Sequence, residues 1–339
     1  LPDGRLLAPG PELCIVTPST YRTSDPVHGA TGRSILDRAN AVLIIPREPL
    51  GDGTHTVSLA VPGVTAATWS FGVADVDARP VVGGADAGTT GGASAGEGYL
   101  LVDALGSVTS FGAAPPAQPT PTVQEATDIA ATPSGTGYWV LRADGSVDAH
   151  GTAPTLEVAA AMGPGERATA LSATPTGDGY WIFTSLGRVI AIGDASFLGD
   201  VSHLALNGPV LDAVSTPSGR GYYLVASDGG VFTFGDAEFA GSMGGRPLNA
   251  PVRSLAPDPD GEGYWLVADD GGVFAFDAPF LGSMGSTPLN APMVGIVARG
   301  DGYTMVAADG GVFSYGADFL GSLGATGSVR PIVAIAPVG

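Results

Sequence analysis

Apolar residues along most of the chain fall into short runs in a fixed order. A Gly-Tyr dipeptide opens an apolar run six times, with Tyr at 99, 138, 180, 222, 264 and 303, at spacings of 39, 42, 42, 42 and 39 residues. The fullest copies are GYYLVASDGGVFTFGDAEFAGSMG from Gly221, GYWLVADDGGVFAFDAPFLGSMG from Gly263 and GYTMVAADGGVFSYGADFLGSLG from Gly302. Weaker copies begin at Gly98, Gly137 and Gly179. Self-similarity at such a period is the mark of a repeat architecture.

Each unit parses into four short strands. Tyr264–Ala268 is rich in aromatic and branched residues. Asp270-Gly271-Gly272 supplies a tight turn, with Gly tolerating positive φ, and Val273–Phe276 returns. Phe280–Met284 reads as a third, outer strand. After a Pro-containing loop, Thr287 to Pro292, Met293–Val297 reads as a fourth. No segment sustains a helical period. Tyr264, Leu266 and Ala268 alternate with Trp265 and Val267, so the strand is apolar on both faces, which suits a sheet covered on both sides. Four strands per unit of this length is the size of a propeller blade. The last run, Pro331–Pro337, matches Val252–Pro257, which precedes a Gly-Tyr; no such run precedes Gly98. The expectation is therefore an all-β fold. Residues 98–339 form a six-bladed β-propeller of four-stranded blades, with Pro331–Pro337 in one sheet with Tyr99–Asp103. The C-terminal strand then closes the ring and no edge stays open.

Residues 1–75 lie outside the repeat. Candidate strands are Leu13–Val16, Ala41–Ile45, Thr54–Leu59 and Thr68–Val73, with an Asp52-Gly53 turn, and they predict a small Ig-like β-sandwich. Residues 76–97, including GGADAGTTGGASAGEG, read as a Gly/Ala-rich linker.

Composition narrows the function. Gly 53 and Pro 28 among 339 residues make a turn-rich chain, yet 44% hydrophobic content sets it apart from ordinary disorder. No apolar run approaches the ~20 residues of a membrane span. All 14 basic residues are Arg, which excludes Schiff-base lysine chemistry and a Walker lysine. A net charge of -19 argues against nucleic acid as a partner. The single cysteine, Cys14, excludes an internal disulfide and reads as a small buried residue beside Ile15. No signal-peptide pattern opens the chain at Leu1, so a leader has been removed or the chain is part of something longer.

The unit GYWLVADDGGVFAFDAPFLGSMG resembles the repeat of secreted and cell-surface β-propeller proteins of actinobacteria, over Gly98–Gly339. There the Tyr is usually followed by Trp; here Leu100, Tyr223 and Thr304 stand in three units. The Asp-Gly turn is lost at Ala104-Leu105-Gly106 and Leu186-Gly187-Arg188. The stretch from Thr20 to Val73 is similar to the domain that follows CAP modules in actinobacterial secreted proteins. The resemblance implies an extracellular or cell-surface location.

Trp139, Trp181, Tyr223 and Trp265 follow the repeat Tyr and could stack on sugars, but alternation on a buried strand favours packing between blades. Asp144, Asp228, Asp270 and Asp309 sit in turns and are expected to bond their own backbone. Asp194, Asp236 and Asp277 precede the outer strand and could offer oxygens to calcium, although no dense calcium loop is present. His28, His55, His150 and His203 lie in separate segments without metal or triad spacing. No catalytic or metal residue and no cofactor is assigned, and ligand-binding residues are left open. The expected function is a non-enzymatic binding or scaffold propeller. Its partner would be cell-wall glycan, a protein or another copy, met by loops such as Ser242–Pro251 and Ser283–Pro292. The alternatives are a glycoside hydrolase or lyase with an acidic site at one channel mouth, and a structural subunit of a cell-surface assembly.

Overall fold

The computed structural model describes four strands near the N-terminus and residues 96–117, 124–158, 161–259, 261, 263–324 and 330–339. The chain divides into two compact units, Leu1–Val81 and Val82–Gly339. In the first, β1 (Leu13–Val16) pairs antiparallel with β2 (Leu43–Pro46), and β3 (Gly53–Leu59) pairs with β4 (Ala67–Val73). The remainder of the expected sandwich, and nearly all of the linker read at 76–97, lie outside the described residues.

The second unit is a six-bladed β-propeller. β5 (Gly98–Asp103) and β6 (Val108–Gly112) belong to the first blade. β7 (Ala126–Ala131), β8 (Gly137–Arg142) and β9 (Val147–Gly151) make the second, and β10 (Ala168–Ala173), β11 (Gly179–Thr184) and β12 (Val189–Gly193) the third. β13 (Val210–Ser215), β14 (Gly221–Ala226) and β15 (Val231–Gly235) make the fourth, and β16 (Val252–Pro257), β17 (Tyr264–Ala268) and β18 (Val273–Phe276) the fifth. β19 (Met293–Arg299), β20 (Gly302–Ala307) and β21 (Val312–Tyr315) make the sixth. β22 (Ile332–Val338) then returns to the first blade, where Ala334 faces Val102 and Val338 faces Gly98. The ring is closed by the C-terminal strand, as the repeat phase requires.

Blades have three strands, where the spacing predicts four. Phe280–Met284 and its counterparts form no ladder. This segment climbs instead between its own blade and the next. The Tyr222 hydroxyl donates to the Gly199 carbonyl at 2.6 Å and accepts from the Leu198 amide, and Tyr264 and Tyr303 do the same with Gly241 and Gly282 or its neighbour Leu281. Gly199, Gly241, Gly282 and Gly321 lie flat on Phe234, Phe276, Tyr315 and Phe111 of the following blade, with φ between 128° and 147°. A segment that gives its polar groups to a neighbouring tyrosine and its flat glycine to a ring cannot also pair with its own outer strand.

The middle strands β5, β8, β11, β14, β17 and β20 are buried along their whole length. Alternate residues serve opposite neighbours. Tyr264 and Leu266 pack with Tyr223 and Val225 of the fourth blade, while Trp265 and Val267 pack with Tyr303 and Met305 of the sixth. Each of the six seams has such a cluster, the closing seams included. A backbone stitch repeats with it. The amide that opens each inner strand donates to a turn carbonyl of the preceding blade, from Ala126 to Ala104 at 2.9 Å round to Ile332 to Ala308 at 2.8 Å.

Candidate site in the central channel and the outer rim

The inner strands β7, β10, β13, β16, β19 and β22 surround a cavity of about 920 Å³. One mouth carries Glu125, Arg167 and Arg253; the other carries Pro133, Pro175, Pro217 and Pro259. At the charged mouth Arg167 pairs with Glu125 at 2.9 Å and Arg253 with Asp269 at 2.7 Å. The wall between is mostly small: Ala131, Ala173, Ala213, Ser215, Ala256 and Ala298 among others. Its inward backbone edge has no ladder partner, which is why Pro257 and Pro337 are tolerated inside strands.

Every inner strand carries a bulge after its first residue. The residue that follows the bulge is Asp128, Ala170, Asp212, Ser254, Gly295 and Ala334 round the ring. Asp128 accepts from the Ile129 amide at 2.8 Å and from Leu171 of the next blade at 2.7 Å. Asp212 accepts from Ala213 at 2.8 Å, from Leu255 of the next blade at 3.1 Å and from the Ser254 hydroxyl at 2.6 Å. Ser254 in turn accepts from Ile296 at 3.2 Å. Two carboxylates and one hydroxyl thus cap five of the six bulge amides. Gly295 faces the sixth: a Cβ there would lie 3.8 Å from the Ile335 amide nitrogen.

Among the described residues no arginine forms an ion pair with either carboxylate. Burial, then the like charge of Asp212, holds the Asp128 carboxyl well above the usual carboxylate range, against the pull of its two amides. Burial raises Asp212 as well, opposed by its bonds to Ser254, Leu255 and Ala213. What exposure the two side chains keep is to the channel they line. Linear spacing could not join these acids. A signal was present, though: each is a lone charge in an apolar run, ten residues before the repeat Tyr.

The residues singled out from the sequence are placed as follows. Trp139, Trp181 and Trp265 are buried between blades, and their indole N–H groups donate to Pro154, Ser196 and Pro279 carbonyls at 2.8–2.9 Å. Tyr223 is buried against Tyr264. None offers a face to a sugar. Asp144, Asp228, Asp270 and Asp309 each accept the amide two residues on, at 2.9 Å. Asp194 is bound by the Thr174 and Thr176 hydroxyls and Asp236 by those of Thr216 and Ser218, so both fasten the hairpin at the proline mouth. Asp277 holds φ 46° where its counterparts are Gly235 and Gly316. His150 is buried, stacked on Tyr138 and held below the usual histidine range by burial. His203 is exposed. His28, Cys14 and His55 have no described side chains. Among the described residues no three His, Cys, Asp or Glu side chains form a metal cluster, and no helix is long and apolar enough to cross a membrane.

No protein-family model and no curated protein matches the chain. Solved structures do match. A chain of the nidogen/laminin complex crystal structure is similar over 71% of this chain and 98% of its own, at 11% identity and a TM-score of 0.54. The β-propeller domain of Myceliophteria thermophila Cps50 (Swd1) covers 63% of this chain and 77% of its own, at 12% identity and a TM-score of 0.45. At such identity the likeness is one of fold.

Outside the channel, one repeat position stays unused by the fold. Phe197, Phe239, Phe280 and Phe319 stand on the climbing segments of four consecutive blades and are 59%, 60%, 60% and 47% exposed. The corresponding residues of the first two blades are Pro116 and Thr155. Recognition is expected from the sequence in the loops Ser242–Pro251 and Ser283–Pro292. The second of these edges a hollow of about 540 Å³ with Asp269 and Asp270.

Proposed function

We propose that this chain is a non-enzymatic binding scaffold, working outside the cell or at its surface, with cell-wall glycan or a protein as its partner. The observation behind this reading is the use made of the channel acids. Asp128 and Asp212 spend their oxygens on backbone amides that tie the second blade to the third and the fourth to the fifth. A general acid or nucleophile needs a free oxygen toward its substrate. The arginines of the charged mouth are likewise paired with acids of the same surface.

A second reading, a glycoside hydrolase or lyase working in the channel, draws on the suppressed ionisation of the same two carboxyls in a cavity, a common property of catalytic acids. One experiment separates the two. The full chain is incubated with purified bacterial cell walls, the walls are recovered, and the supernatant is assayed for soluble sugars. The scaffold reading expects retention without release, unchanged in folded Asp128→Asn and Asp212→Asn variants. Release of sugars that either substitution abolishes would transfer the assignment to the enzyme. Neither retention nor release would leave a protein partner or self-association as the scaffold's target.

A further inference from the structure

We infer that the outer rim of the propeller binds a neutral polysaccharide along several blades at once, through Phe197, Phe239, Phe280 and Phe319; this rests on the binding-scaffold reading and names its partner. The four rings are aromatic side chains that the repeat supplies and the core does not take up. Each stands on a segment whose neighbours are committed. In the fourth blade Ala237 is buried in the seam and Gly241 lies on Phe276, with Phe239 left outside between them. Four consecutive blades of six spread the rings over half of the rim.

That spread argues against one rigid globular partner, which meets a surface over a single contiguous patch. A chain with a recurring unit can touch identical sites in succession and gain avidity from each. Charge then selects among chains. An exposed acidic residue stands within three positions of every ring, at Glu238, Asp277, Asp318 and Asp194, the last already bound by Thr174 and Thr176, and the four segments 194–199, 236–241, 277–282 and 317–321 hold no arginine. Anionic polymers are repelled, in keeping with the net charge of -19. An extended peptide is recognised by an open strand edge or a groove with pockets. Here the rings stand free, one to a blade, on segments that form no ladder. A pyranose ring asks for less: an aromatic face for its C–H face, and a carboxylate to accept from its hydroxyls.

The test measures binding of the full chain to insoluble N-acetylglucosamine polymer, to a neutral glucan and to polygalacturonate. It uses the wild type, single Phe→Ser variants at 197, 239, 280 and 319, and the variant with all four changed. Leu186→Ser and Leu204→Ser, at exposed apolar positions elsewhere, serve as controls. The expected result is binding to a neutral polymer and none to polygalacturonate. Each single change weakens binding several-fold and the fourfold change weakens it on the order of 10²-fold, the scale of lost multivalency. The controls bind as wild type, and circular dichroism and the unfolding temperature stay the same, because the rings are exposed. Undiminished binding by the fourfold variant would overturn the rim assignment while leaving the scaffold reading intact. Absence of binding to either neutral polymer would overturn the glycan, and Phe-dependent capture of a polyarginine peptide would reassign the rim to basic peptides. Failure of the scaffold reading itself has a different signature, the release of soluble sugars.

Discussion

Residues of one chemical type do different work in this molecule according to where the repeat sets them. Aspartates at the outer hairpins satisfy their own turns, and Ser146 bonds hold the Asp144 carboxyl below the usual range. The Ser218 hydroxyl leads the groups that hold Asp236 low, although burial opposes them. Burial also raises Glu166, but bonds from Arg188 and the Gly163 amide outweigh it and leave that carboxyl low. Asp128 differs in sign, because burial and Asp212 prevail over its two amides. Between the ordinary carboxylate range and its raised value, the folded Asp128 therefore keeps a proton that the unfolded chain has released. That contribution to stability is complete below the ordinary carboxylate range and is lost as pH climbs through the raised value. The unfolding temperature of the wild type should thus fall, upward from about pH 4, by more than that of Asp128→Asn. The low carboxyls act in the opposite direction and only at more acid pH, so a pH series of thermal melts separates the two. Equal slopes above pH 4 would show that Asp128 ionises as an ordinary carboxyl.

The climbing segment is the element that departs most from its sequence signal. Phe-Leu-Gly-Ser-Met following a turn has the composition of an edge strand, and its apolar content predicts a fourth strand of the sheet. The next blade decides otherwise, since a tyrosine hydroxyl and an aromatic face there meet the segment's Gly. Gly241 lies at φ 147° with the Phe276 ring where a Cβ would stand. Gly241→Ala should destabilise the propeller by about 1–3 kcal/mol, the usual cost of overpacking a tight site. Chemical denaturation measures it, and a change within error of zero would mean the ring can move aside. The same segment explains the buried tryptophans. Their indole N–H groups need acceptors, and the carbonyls of Pro154, Ser196 and Pro279 on the climbing segment supply them.

At the scale of the whole molecule, closure makes six marginal sheets into one body. A three-stranded sheet covered on neither face has little stability of its own. Here each middle strand is buried because both neighbours are present, and the first blade exists only when β22 returns to β5. Deleting residues 330–339 removes the inner strand of that blade and exposes parts of the two seam clusters that hold Ile332, Ile335, Ala334, Ala336 and Val338. The truncated chain is expected to lose its single cooperative melt and to aggregate on gel filtration. A truncated chain that melts like the wild type would show that five complete blades suffice.

The blade repeat, its count, the turn chemistry and the closing partner of the C-terminal run could all be read from the chain. They rest on interactions that are local or periodic: apolar runs, Gly at positive φ, and the phase at which the first unit starts and the last one ends. The tertiary structure alone decided three things. It turned the expected outer strand into a wedge between blades, because the competing tyrosine and aromatic ring lie about 20 to 35 residues on, in the next unit. It brought Asp128 and Asp212, eighty-four residues apart, to one ring of amides, because six-fold closure aims every bulge at the same axis. It also settled the aromatics: the tryptophans, expected to pack between blades, are sealed in the seams, while the phenylalanines of the expected outer strand stand in solvent. An alternating strand shows that both its faces are apolar; which neighbours cover them is settled by the blades on either side.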